Sequence, residues 1–122
     1  MFENEDLVQE ALRLWYKLEI GDHHRMVIAT NFHNERVMAL LALTASAMGY
    51  GVVVHQSADK KHQMTYFPIW RRFSWRFRKP AIAQIMNQVV SGKTPRSLPK
   101  NALEEAAKLI AKSDEIVFTA FV

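Results

Sequence analysis

Arg25-Met-Val-Ile-Ala-Thr-Asn-Phe-His-Asn-Glu-Arg-Val-Met-Ala-Leu-Leu-Ala-Leu-Thr-Ala-Ser-Ala-Met-Gly-Tyr-Gly-Val-Val-Val-His-Gln-Ser57 is the stretch on which the fold turns. Residues Arg25 to Asn31 form a short apolar run with too little alternation for a strand half in water, so they read as a buried, central strand. From Asn34 to Met48 the chain is strongly helix-forming and apolar on nearly every face, with Asn34 placed to cap the helix and Gly49 to end it. A helix of that kind has to be covered on more than one side. Gly51 to Ser57 is rich in β-branched residues and reads as a second strand, and a strand, helix and strand in such close succession should close right-handedly into two parallel strands. The expected fold is α/β: a small three-layer domain with a mostly parallel β-sheet, built on a βαβ unit over residues 25–57.

Upstream, Leu7, Val8, Ala11, Leu12, Trp15 and Leu18 recur at three- and four-residue spacing with Glu10, Arg13 and Lys17 on the other side. This is an N-terminal amphipathic helix within residues 1–21, ending near Gly21. Downstream, Met64-Thr-Tyr-Phe-Pro-Ile69 reads either as a short strand or as the entrance to a helix beginning around Pro68, and the helix is the favoured reading. Trp70, Phe73 and Phe77 share one helical face, Pro80 forces a kink or a fresh start, and Ile82, Ile85, Met86, Val89 and Val90 make a further amphipathic helix that stops near Gly92. Residues 66–92 are thus expected to be a basic, aromatic helical segment, followed by a proline-punctuated loop. Asn101 and Glu104 resemble a capping box for a last helix carrying Leu103, Ala106, Ala107, Ile110 and Ala111, and Glu115 to Phe121 reads as a final strand, so that residues 101–121 close a single domain spanning 1–122.

With 122 residues, about half of them hydrophobic, one domain can bury roughly two thirds of its unfolded surface. The formal charge is +4, but its distribution says more: ten basic residues and no acidic one lie between Lys60 and Leu103, while six of the twelve acids precede His23 and four follow Leu103. Cysteine is absent, which excludes disulfides, thiolate metal sites and thiol nucleophiles. The acidic start and the lack of any apolar run of roughly 18 residues give no sign of a signal peptide or membrane span, and the expected location is cytoplasmic.

Three pieces of the chain, in order, resemble a known family. They are Met26-Val-Ile-Ala-Thr30; Glu35 to Gly49 running into Val52-Val-Val54; and Ala107-Lys-Leu-Ile-Ala-Lys-Ser-Asp-Glu-Ile-Val-Phe-Thr119. Together they look like the DsrE/DsrF-like proteins of sulfur relay, and the resemblance covers about half of the chain. It implies a small α/β domain with a mostly parallel sheet. Family members that carry sulfur hold it as a persulfide on cysteine, so without cysteine this chain resembles the companion subunits that build the oligomer.

Two places invite a functional reading. Arg71 to Lys79 packs five cations into nine residues with no neighbouring carboxylate. Soluble helices usually mix signs to gain pairs one turn apart. Trp70, Arg71, Arg72, Trp75, Arg76, Phe77, Arg78 and Lys79 therefore read as a partner-binding face, with the plain alternative that the aromatics are core and the cations their solvated side. The partner implied is a second copy or a companion protein; nucleic acid is the runner-up, and an anionic membrane surface ranks below both. The second place is the turn between the first strand and its helix, where Asn31, His33, Asn34 and Arg36 would meet a ligand at a helix N-terminus. The turn lacks the glycines of a phosphate loop, and capping alone would select the same residues, so capping is ranked ahead of catalysis. The five histidines show no metal-ligand spacing, and no metal, cofactor or catalytic residue is assigned.

Overall fold

The computed structural model describes residues 4–18, 26–30, 34–48, 50–55, 65–66, 79–93 and 101–120. In chain order these form α1 (Asn4–Lys17), β1 (Met26–Ala29), α2 (Glu35–Ala47), β2 (Tyr50–His55), β3 (Thr65–Tyr66), α3 (Lys79–Val90), α4 (Ala102–Ala111) and β4 (Glu115–Ala120).

The sheet corrects the expected architecture. Its strand order is β1-β4-β2-β3 and every pairing is antiparallel: β1 with β4, β4 with β2, β2 with the two-residue β3. Because β1 and β2 both run against β4, they do run parallel to each other, as a helical crossover requires, but β4 lies between them. The βαβ unit is split, the sheet is not mostly parallel, and the parallel sheet implied by the DsrE-like resemblance is not the sheet of this protein. Nor is β1 central. It forms one edge, and β4, from the far end of the chain, takes the middle.

Register assigns the faces. Ile28, Ile116 and Val54 stand opposite one another, and Phe118 stands opposite Val52 one step along. All five are buried in the cluster that holds α2. On the other face Val27, Val117 and Val53 form a row. Val117 is 3% exposed and Val27 is 51% exposed.

Helix α2 is the centre of the molecule. Every residue from Val37 to Ala47 is buried, because the helix lies against β2 and β4 while α1, α3 and α4 pack on it. Among the described residues the layers are therefore sheet, α2 and outer helices. The outer helices are amphipathic: α1 buries Leu7, Val8, Ala11, Leu14 and Trp15, and α4 buries Leu103, Ala106, Ala107 and Ile110.

Residues 65–66 are strand, so the segment expected to be helical from 66 onward begins as β3, and α3 starts afresh at Lys79 with Pro80 in its first turn. Its other end is a glycine stop. Gly92 has φ +79°, its N–H donates to the Val89 carbonyl at 3.2 Å, and the Lys93 N–H donates to that of Gln88 at 2.9 Å. These two bonds are a Schellman pattern, which needs a left-handed residue.

Candidate functional site

The described residues on either side of 31–33, Thr30 after β1 and Asn34 before α2, are both held by hydrogen bonds. At the end of β1 the Thr30 N–H donates to the Asp114 carbonyl at 2.9 Å, and the Thr30 hydroxyl donates to the Ser113 carbonyl at 2.5 Å. The Ser113 hydroxyl donates in turn to the Leu109 carbonyl at 2.7 Å. This chain of bonds ties β1 to the corner between α4 and β4. Asn34 then caps α2: its side-chain oxygen accepts from the backbone N–H of Arg36 at 2.9 Å and of Val37 at 3.3 Å. Both bonds are those expected of an N-cap, so this oxygen is engaged by the chain's own backbone.

Arg36 reaches across to α4, where a terminal guanidinium nitrogen lies 3.2 Å from the Glu104 carboxylate. Its Nε is buried without a hydrogen-bond partner. A cation in the first turn opposes the helix dipole, and Glu104 offsets it while joining the N-termini of α2 and α4. The pair is partly exposed, so its contribution is small, about 1 kcal/mol or less. Glu104 does not complete a capping box, since Asn101 makes no side-chain capping bond to α4. Of the four residues expected to form a ligand site, Asn34 and Arg36 are thus occupied in structure, while Asn31 and His33 lie outside the described residues.

The segment expected to bind a partner is described only at its end. Trp70, Arg71, Arg72, Trp75, Arg76, Phe77 and Arg78 lie outside the described residues, and Lys79 is the first residue of α3. The first turn of α3 contains no acidic residue. His23, His24 and His62 also lie outside the described residues, and His55 ends β2 in register with Glu115. Among the described residues no three His, Asp or Glu side chains gather as metal ligands, and no helix is long and apolar enough to cross a membrane.

A surface missed by the sequence reading lies on the outer side of α1. A groove of about 600 Å³ runs between α1 and α3, bordered by Val8, Gln9, Leu12, Ala83, Asn87 and Val90. A second, of about 510 Å³, continues over Gln9, Leu12, Arg13 and Tyr16. Tyr16 is 43% exposed there, and its partial burial raises its pKa above the ordinary 10.0. The only signal in the sequence was Tyr16 beside Trp15, an aromatic falling off the buried stripe.

The chain matches no known protein family, no curated protein and no solved structure.

Proposed function

We propose that this protein is a non-enzymatic binding subunit of the cytoplasm whose basic aromatic segment, Trp70 to Lys79, takes the acidic face of a companion protein. The observation that carries this reading is the run of ten cations without a single acid between Lys60 and Leu103. The segment leads directly into the first turn of α3, the positive end of a helix with no acidic residue to offset it. Cations at that end are unfavourable unless an anion joins them, so a carboxylate-bearing partner gains from the arginines and from the dipole together. Arginine and tryptophan are also the residue types most enriched in interface hot spots. In the setting that the DsrE-like resemblance implies, the role is that of a cysteine-free companion subunit with no persulfide chemistry of its own.

Nucleic acid is the second reading, favoured by the aromatics interleaved with the arginines, on which unpaired bases stack. Substituting Arg71, Arg72, Arg76 and Arg78 together by Gln is expected to abolish partner binding and leave the thermal transition nearly unchanged. A variant that fails to fold would make the segment structural. Salt separates the two readings: affinity for nucleic acid would fall by about 0.7 to 0.9 log units per phosphate contact for each log unit of salt.

A further inference from the structure

Along α1 four of the five charged residues, Asp6, Glu10, Arg13 and Lys17, follow one another at intervals of four, three and four residues, with Glu5 a quarter-turn aside. At 100° per residue they form a single stripe. Its order is acid, acid, base, base. Asp6, Arg13 and Lys17 are exposed and Glu10 half-buried, and the Arg13 guanidinium donates to the Glu10 carboxylate at 3.1 and 2.5 Å. Such a stripe is complementary to itself when reversed. Laid antiparallel about a two-fold axis that crosses the stripe midway between Glu10 and Arg13, it sets Asp6 opposite Lys17 of a second copy and Glu10 opposite Arg13, both pairs in the same register.

The ground beside the stripe suits the same occupant. The grooves along Leu12 and Tyr16 and between α1 and α3 supply apolar surface next to it. The chain carries no charge from Pro80 to Gly92, so the exposed side of α3, with Gln84, Asn87, Gln88 and Ser91, repels neither end of an incoming α1. Depletion of charge beside an apolar patch is the composition of an interface core rather than of a solvated helix face. A two-fold contact uses one patch twice, which is what a self-complementary stripe provides.

We propose that the outer face of α1, with the adjoining groove to α3, is a two-fold contact between copies of this chain, with the α1 helices antiparallel. It is independent of the basic segment and persists when that segment is neutralised. Each contact carries two ion pairs between copies, Asp6 with Lys17 and its two-fold mate, and between them the Glu10–Arg13 pair of each copy is brought beside that of the other at the axis.

Sedimentation equilibrium on charge-reversed variants tests this. D6K/E10K makes the stripe wholly basic and R13E/K17E makes it wholly acidic. Each alone is expected to dissociate about a hundredfold more readily than the wild type, or more, and a mixture of the two to recover dimer. The fourfold swap D6K/E10K/R13E/K17E restores the pattern in reverse and is expected to dimerise by itself. Should a reversed helix fail to fold by circular dichroism, D6N/K17Q carries the test, with affinity reduced several-fold and its salt dependence weakened. A monomeric wild type overturns the proposal, as does a reversed variant that dimerises alone or a mixture that stays monomeric.

Discussion

Thr44 sits at 0% exposure in the middle of α2, and its hydroxyl has no hydrogen-bond partner. An unsatisfied buried hydroxyl costs about 1 to 3 kcal/mol, because water bonds it in the unfolded chain and nothing does so in the folded one. Thr44→Val keeps the branched shape and removes the orphan group, so it is expected to stabilise the protein by about 1 kcal/mol in denaturant titrations. Thr44→Ser keeps the orphan and deletes a methyl, and is expected to destabilise by a similar amount. Tyr16 makes a prediction in pH. Burial raises its folded pKa above the 10.0 of the unfolded chain, so the unfolded state ionises first. Its share of stability is complete below pH 10.0 and lost as pH rises through the folded value, and Tyr16→Phe should remove that part of the alkaline decline in denaturation midpoints. At this scale the sequence was legible where one neighbour decides the outcome: Asn34 reads as a cap and is one. Arg36 was not, because its partner Glu104 is 68 positions away in the chain.

Helices announced themselves through their apolar stripes: α1 buries Leu7, Val8, Ala11 and Trp15 and α4 buries Leu103, Ala106, Ala107 and Ile110, while Leu12 and Leu18 are half-buried and Ala111 is exposed. Their ends were harder to read. Asn34 and Asn101 look alike in sequence, yet only Asn34 bonds to backbone N–H groups of its helix. Asn34→Ala is expected to cost about 1 kcal/mol and Asn34→Gly a few tenths, whereas Asn101→Ala should fall within the scatter of a neutral surface change. Thermal denaturation of the three variants side by side checks the contrast. β1, β2 and β4 were located correctly, β3 was read as the entrance to a helix, and the pairing was read wrongly. The close succession of strand, helix and strand suggested two parallel strands in a mostly parallel sheet, but β1 and β2 flank β4 and each runs against it. Pairing depends on β4, which enters between β1 and β2 from the other end of the chain, and no local pattern in residues 25–57 encodes its arrival.

Over the whole molecule, the separation of charge read from the sequence gains a structural frame. Acids are concentrated ahead of His23, where α1 carries Asp6 and Glu10 beside Arg13 and Lys17, and the cation-rich stretch of sequence runs up to Lys79, the first residue of α3. A compact frame built around α2 holds the two helices against each other. We propose a separate partner for each: a second copy for α1 and an acidic companion for the segment before α3. Composition alone pointed to the second of these and passed over the first, since the charges of α1 nearly cancel and only their order along one helical stripe is informative. The most direct test is the solution mass, by light scattering, of the wild type and of R71Q/R72Q/R76Q/R78Q at equal concentration. Both are predicted to scatter as twice the 14.1 kDa chain. A fall of the substituted protein to the monomer mass would show that self-association runs through the basic segment and would contradict the account.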